Sequence, residues 1–119
     1  MKIVSEKQFS DDLLKALNSK WDSGEYRLVD SLKWYAVMGP GRSGAIVAVY
    51  LSHLLGIPFF PFTTRLPEKI KGVLVADTCV QSGRTLRKIK ARLGSRCINT
   101  FFVYKEPPRL KMWYEFADG

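Results

Sequence analysis

The feature that most constrains the fold is an uninterrupted apolar run that ends in an acid and leads into a loop of small residues. The run is Val73–Ala76, the acid is Asp77, and the loop Ser82–Thr85 reads Ser-Gly-Arg-Thr. Such a run is typical of a central parallel strand covered on both faces. Small residues at a helix start let backbone N–H groups surround one anion, so the loop predicts a phosphate site. Since Asp77 can accept hydrogen bonds from sugar hydroxyls or bind a metal, the stretch predicts a phosphorylated sugar as ligand.

A second glycine-rich loop lies between a predicted strand, Leu32–Val37, and a predicted helix, Ala45–Leu55. Its residues are Gly39, Pro40, Gly41, Arg42, Ser43 and Gly44. The three glycines allow the backbone to approach a polyanion, and the arginine supplies a cation. A Gly-Pro-Gly sequence alone is more often a plain turn. However, the order strand, loop, helix, strand brings this loop and the first one to the same edge of a parallel sheet.

Helical periodicity defines two apolar faces. We expect a helix over Ser5–Leu17, opened by a capping box of Ser5 and Gln8. Its apolar face carries Phe9, Leu13 and Leu17. The helix after the second loop is expected to carry Ile46, Tyr50, Leu51 and Leu54 on one face.

The remaining elements complete an alternating pattern. We expect a strand at Phe59–Phe62, at an edge or with a bulge because of Pro61, then a helix at Thr85–Leu93 and a strand at Cys97–Tyr104. Strands that alternate with helices are typical of a parallel sheet with helices on both faces. The chain therefore predicts an α/β fold, three-layer, with a mainly parallel twisted sheet, in one domain over residues 1–119.

The Val73 stretch resembles the phosphoribosyl diphosphate (PRPP) signature of the type I phosphoribosyltransferases. That signature is an apolar strand, two adjacent acids, an apolar link, a further acid and Thr-Gly-x-Thr. Asp77 matches the first acid, whereas Thr78 and Gln81 stand where the second and third acids are expected. The resemblance implies catalytic positions at Asp77 and Gln81, and a 5′-phosphate loop of Ser82, Gly83, Arg84 and Thr85. An ordinary strand-to-helix turn of another α/β protein is the alternative interpretation.

The resemblance also assigns roles outside this stretch. It implies that Gly39–Gly44 binds pyrophosphate. The tail resembles the xanthine-guanine type of purine phosphoribosyltransferase, in which a lysine contacts the 6-oxo oxygen and a tryptophan stacks on the ring. Lys105 and Trp113 match these residues, and the alternative is that Trp113, Tyr114 and Phe116 pack against the first helix.

The implied activity is transfer of phosphoribose from PRPP to a 6-oxopurine, with Mg²⁺ at Asp77. PRPP or a nucleoside monophosphate and a purine base would be the ligands, and a homodimer is possible. Two departures predict weak turnover: the missing acids and the short segment Thr63–Gly72, where the family commonly has a longer lid. A catalytically inactive binding or regulatory protein is therefore the main alternative.

The net charge of +8 would suit an anionic partner such as PRPP, pyrophosphate, a nucleotide or nucleic acid, and the alternative is a basic, solvated surface with no dedicated partner. Five cations on or beside the Thr85–Leu93 helix could contact nucleic acid, but a solvated face is favoured because no aromatic residues are interleaved with them. The five are Arg84, Arg87, Lys88, Lys90 and Arg92. Without a membrane-length apolar run or a leader-like N-terminus, the expected location is cytoplasmic, with no membrane contact.

Overall fold

The computed structural model describes residues 2–22, 35–79, 84–104 and 110–114. These residues form five strands and three helices, with a short 3-10 turn at Gly94–Arg96. In chain order they are β1 (Lys2–Val4), α1 (Glu6–Asp22), β2 (Tyr35–Met38), α2 (Gly41–Leu55), β3 (Gly72–Cys79), α3 (Arg84–Leu93), β4 (Cys97–Tyr104) and β5 (Leu110–Met112). None of the helices in these ranges is long and apolar enough to cross a membrane.

The main sheet has the order β2-β3-β4, and every pairing in it is parallel. Met38 of β2 pairs with Val75 of β3, and Cys79 of β3 pairs with Tyr104 of β4. The three strands therefore end at a common edge. A second, two-stranded parallel sheet joins β1 to β5, which the sequence pattern did not predict.

Two apolar clusters cover the two faces of the main sheet. Leu74 and Ala76 of β3 belong to the cluster that contains the buried residues of α1 and α2. Val73 and Val75 belong to the other cluster, together with Ile89 of α3. Alternate residues of one strand thus face different helices, as expected for a fully covered strand. This arrangement confirms the predicted three-layer α/β fold.

Helix α1 begins as its sequence predicts. The backbone N–H of Gln8 donates to Ser5 Oγ at 3.1 Å, which satisfies one of the free donors of the first turn. Phe9, Leu13 and Leu17 are all buried in the first cluster. The predicted apolar face is therefore confirmed, although the helix continues to Asp22.

The predicted strand at Phe59–Phe62 is wrong. Only an isolated bridge joins Phe59 to Val37, with Val37 N–H donating to the Pro58 carbonyl at 2.9 Å and Phe60 N–H donating to the Val37 carbonyl at 3.0 Å. Pro61 has no N–H with which to extend the ladder. The chain turns there instead, and Thr64 N–H donates to the Pro61 carbonyl at 2.9 Å.

The predicted apolar face of α2 is also wrong in part. Its buried residues are Gly44, Val47, Ala48 and Leu51, whereas Leu54 is 47% exposed. These four follow the i, i+3, i+4, i+7 spacing of one helical face. The face starts at Gly44 because the helix begins at Gly41, four residues before the predicted start at Ala45.

Candidate functional site

Two helices begin beyond the carboxyl ends of β2 and β3, one packed on each face of the sheet. Helix α2 follows β2 after two residues, and α3 begins at Arg84, five positions beyond the end of β3. The N-cap of α2 is Pro40, whose side chain makes no capping hydrogen bond. First-turn N–H groups therefore lack a side-chain acceptor there, and the helix dipole favours an anion at this end.

The glycine-rich loop lies directly on the backbone of β3. A Cβ on Gly39 would overlap the Gly44 carbonyl and would lie 2.6 Å from the Ala76 carbonyl oxygen. A Cβ on Gly44 would lie 3.0 Å from the same Ala76 oxygen. Only glycine fits at these two positions, because any side chain would push the loop off the strand. The start of α2 is thereby held next to the residue that precedes Asp77.

Asp77 is a half-buried carboxylate near the end of β3. Its Oδ1 accepts a 2.7 Å hydrogen bond from the Thr78 backbone N–H. Burial raises the pKa of the Asp77 carboxyl, against the opposing effect of the hydrogen bonds from Thr78. An ionised Asp77 is therefore destabilising in the absence of a ligand, and a cation or hydroxyl donor would offset that cost.

Replacement of Asp77 by asparagine should stabilise the ligand-free protein at neutral pH. Because the pKa is raised from its ordinary 3.8, the folded state holds the proton more tightly than the unfolded state. The parent's stability should fall as the pH rises from the ordinary pKa through the raised value. The amide has no charge to bury, and its oxygen can still accept from Thr78 N–H. Urea unfolding across this pH range measures the difference.

The stabilisation by Asp77→Asn should shrink as the pH falls below the ordinary pKa, where the parent carboxyl is protonated in both states. Asp11→Asn is the matched control, since Asp11 is an exposed carboxylate on α1. This control separates the effect of losing one surface charge from the effect of no longer burying a charged carboxylate. An Asp77→Asn protein that is less stable than the parent at neutral pH would contradict the interpretation.

The glycine-rich loop also contacts the C-terminal segment that the sequence assigned to base binding. Ser43 Oγ and Tyr114 OH share a 2.5 Å hydrogen bond. The centroid of the Trp113 ring lies 5.0 Å from that of the Tyr114 ring and 5.4 Å from that of the Phe9 ring on α1. Trp113 thus packs against the first helix, as the alternative interpretation expected, and is half-buried. Because Tyr114 is hydrogen-bonded to Ser43, the contact between the Tyr114 and Trp113 rings also places Trp113 near the glycine-rich loop.

Several predicted site residues lie outside the described residues. These are Gln81, Ser82, Gly83 and Lys105. The backbones of Arg84 and Thr85 form the start of α3, as expected for the end of a phosphate loop. Lys105 follows Tyr104, whose backbone pairs with Cys79 two residues beyond Asp77. Their roles as ligands of phosphate and base remain predictions.

The segment between the bridge at Phe59 and β3 is anchored to the body of the protein. Leu66 and Ile70 are buried in the cluster that contains Ile89. The Arg96 guanidinium donates to the Pro67 carbonyl at 2.6 Å and to the Ile70 carbonyl at 2.9 Å. A lid must be able to move over a site, and these contacts hold the segment at the opposite edge of the sheet.

Sequence reasoning missed a polar contact between α1 and the end of β4. Tyr104 OH donates to Asp12 Oδ2 at 2.7 Å, and Gln8 Nε2 donates to Asp12 Oδ1 at 2.8 Å. Asp12 and Tyr104 border a cavity of about 520 Å³ that Lys15 and Ser19 also line. In the sequence, Asp12 is only a polar residue beside the apolar face of the helix. That position does not identify Tyr104 as its partner, because the two residues are far apart in the sequence.

Solved structures with this architecture include those of two phosphoribosyltransferases. The xanthine-guanine-hypoxanthine phosphoribosyltransferase of Helicobacter pylori matches 98% of this chain and 94% of its own, with a TM-score of 0.70 and 16% identity. The purine phosphoribosyltransferase of Pyrococcus horikoshii OT3 matches 98% of this chain and 97% of its own, with a TM-score of 0.55 and 19% identity. No protein-family model and no curated protein matches the sequence. At these identities the likeness establishes the fold.

Proposed function

We propose that this chain, which has the fold of the purine phosphoribosyltransferases, transfers phosphoribose weakly from PRPP to a 6-oxopurine. The observation that carries the proposal is the position of the glycine-rich loop. Gly39 and Gly44 pack against the backbone of Ala76, the residue before Asp77. Ser43 forms a hydrogen bond with Tyr114, the residue after Trp113. Three stretches that are remote in sequence, each expected to hold a different part of the substrates, therefore meet at one edge of the sheet.

Each part of PRPP has a suitable partner in this arrangement. The diphosphate would lie at the uncapped start of α2, with Arg42 as its cation. Ser82–Thr85 would hold the 5′-phosphate where α3 starts, and Asp77 would accept from a ribose hydroxyl. For the base, Lys105 would donate to the 6-oxo oxygen and Trp113 would cover the ring. Two helix N-termini at the same edge of the sheet suit a ligand with phosphate groups at both ends.

A Mg²⁺ ion fits this site as a companion of the substrate. Among the described residues, no group of three His, Cys, Asp or Glu side chains could hold a metal. Mg²⁺ commonly uses only one or two carboxylates together with substrate phosphates and waters. Asp77 is the residue that would serve, and the bound ion would neutralise charge on the departing diphosphate.

The chemistry is a substitution at the ribose anomeric carbon. Its bond to the diphosphate oxygen breaks, and the electron pair leaves with pyrophosphate. A purine nitrogen forms the new bond, and its proton would pass to the departing pyrophosphate. The transition state places positive charge on the ribose. The protein's contribution would be to align the purine and ribose and to stabilise the departing anion with the α2 N–H groups and Arg42.

Two observations favour a binding or regulatory protein without turnover as the second candidate. Thr78, which replaces an expected acid, is only 8% exposed and so lies where a charge would be costly to bury. The segment that could have formed a lid is anchored by Arg96. Neither feature disturbs the helix starts at which a nucleotide would bind.

Ligand binding, tested separately from turnover, examines the part common to both candidates. Calorimetric titration of the parent with PRPP and purine nucleoside monophosphates should give saturable binding. Gly83→Val should abolish it, because a side chain would keep the phosphate from the N–H groups. Gly83→Val binding as tightly as the parent would show that the phosphate lies elsewhere.

Arg42→Ala should weaken PRPP binding by about 10-fold or more, the usual range for a hydrogen bond to a charged group. The matched control is Lys7→Ala. Both residues are exposed cations in the first turn of a helix, but Lys7 lies on α1, away from the loop. Equal losses in the two variants would indicate that only the net charge matters. Nucleoside monophosphates, which lack the diphosphate, should bind Arg42→Ala nearly as well as the parent.

A further inference from the structure

A cleft of about 310 Å³ with a basic lining lies away from the candidate site. Its polar lining residues are Thr63, Thr64, Arg65, Glu68, Arg92 and Arg96. Three guanidinium groups and one carboxylate give the lining a formal charge of +2. Leu66 and Leu93 supply the apolar part of the wall.

The cleft lies at the amino edge of the main sheet. Arg96 immediately precedes β4, and Glu68 precedes β3 by a few residues. The candidate site lies at the carboxyl edge of these parallel strands. Helix α3 starts at that carboxyl edge and ends in the cleft at Leu93, and its ten residues span roughly 15 Å. An anion in the cleft is therefore distinct from one in the predicted phosphate loop.

Two of the three arginines are held in position by contacts. Arg96 donates from Nε and from a terminal nitrogen to the carbonyls of Pro67 and Ile70. The Arg92 guanidinium lies 5.0 Å from the centre of the Phe62 ring, in a cation–π contact. Holding these side chains in the free protein reduces the entropy that a ligand must remove when it binds. Arg65, the third arginine of the lining, is exposed.

We propose that this cleft binds a small phosphate-bearing molecule of about the size of pyrophosphate. The guanidinium groups of Arg65 and Arg92 present planar pairs of donors that match phosphate oxygens. Arg96 adds its positive charge, and the two threonine hydroxyls add further donors. Binding pockets for small molecules usually start at about 300 Å³, so the volume suits one compact ligand. Glu68 would accept from a protonated phosphate oxygen or from a hydroxyl of the ligand.

Structural roles explain the presence of only some of the arginines that line the cleft. Arg96 holds the Pro67–Ile70 turn, and cations near a helix C-terminus are favourable in themselves, which also applies to Arg92. Neither reason applies to Arg65, which lies on the loop. A continuous nucleic-acid surface on α3 is a different proposal. It would use Arg87 and Lys88, two exposed cations of the same helix that do not line the cleft.

Amide-resolved NMR titration can locate the anion, since the chain is only 13.6 kDa. Pyrophosphate and, in parallel, inorganic phosphate would be added to the full chain with Arg42→Ala, which weakens the predicted diphosphate site. Saturable shifts are expected at Thr64, Arg65 and Leu93. Shifts confined to Gly41–Ser43 or to the predicted phosphate loop Ser82–Thr85, or no saturable shift, would overturn the proposal. None of these results would count against the proposed phosphoribosyl site.

An Arg65→Gln, Arg92→Gln double variant should bind pyrophosphate in the cleft at least about tenfold more weakly, since it removes two charged donors. The matched control is Arg87→Gln, Lys88→Gln, which removes the same charge from exposed positions outside the cleft and should keep the affinity. Equal weakening in both would indicate a diffuse field and overturn the proposal. A DNA oligomer that binds more tightly than pyrophosphate and depends on Arg87 and Lys88 would do the same.

Discussion

Gly39→Ala is expected to destabilise the protein by about 3 kcal/mol, at the upper end of the usual cost of overpacking, and to abolish PRPP binding. The added methyl group would overlap the Gly44 carbonyl and press on the Ala76 carbonyl oxygen. Both neighbours are backbone atoms, which cannot rotate away as a side chain can. Relief therefore requires the start of α2 to move off β3. Urea unfolding measures the stability, and calorimetry with PRPP measures the site.

Gly41→Ala is the matched control in the same loop. Gly41 has φ of +64°, and a Cβ there would meet nothing within 4 Å. Its cost should be only about 1 kcal/mol, that of holding alanine in the left-handed region. Much of the PRPP affinity should survive. Equal destabilisation by the two substitutions would show that the close contact of Gly39 with Gly44 and β3 costs no more than the left-handed φ of Gly41, and would contradict the close-packing explanation.

Turnover by the parent with guanine, xanthine or hypoxanthine is expected to be weak or absent, even where PRPP binds. The reaction needs negative charge near the ribose, a group to accept a proton and protection from water. Thr78 and Gln81 cannot supply the first two, and the anchored segment cannot close over the site. PRPP-dependent nucleotide formation measures this directly. Brisk turnover by the parent would show that the missing acids are not required.

A Thr78→Asp, Gln81→Asp double variant should restore part of the activity. General acid–base catalysis is typically worth about 10²-fold or more. The matched control is Thr78→Asn, Gln81→Asn, which has nearly the same shape without the charge and should stay inactive. Because Thr78 is buried, the new carboxylate will cost stability, so Gln81→Asp alone should also be assayed. Unchanged activity in the folded Asp variants would refute the explanation.

The central part of the fold could be predicted because local pattern and tertiary environment agree there. The apolar run at Val73–Ala76 is buried on both faces, and α1 presents the face its spacing indicates. The two loops could be assigned to one edge because parallel strands leave no other arrangement. Prediction failed where a contact between residues far apart in the sequence determines which side chains are buried. Packing of Gly44 on β3 rotates α2 so that Leu54 faces outward.

The site was predictable as a set of loops rather than as a set of contacts. Glycines and an arginine between a strand and a helix indicate an anion site by themselves. The bond between Ser43 and Tyr114 joins residues far apart in the sequence and leaves no periodic signal. The same is true of Tyr104 with Asp12. Strands as short as β1 and β5 gain their structure from each other, so neither has a pattern of its own.

The pairing of β1 with β5 sets the order in which the site can form and come apart. Of the strand pairings described, it joins the positions farthest apart in the sequence, so it bears the largest loop-closure entropy. Trp113 and Tyr114 follow β5 directly. A local opening that releases β5 would free the partner of Ser43 while leaving β2, β3 and the start of α2 in place. The affinity for a base would then depend on this opening equilibrium, and the affinity for phosphate would not.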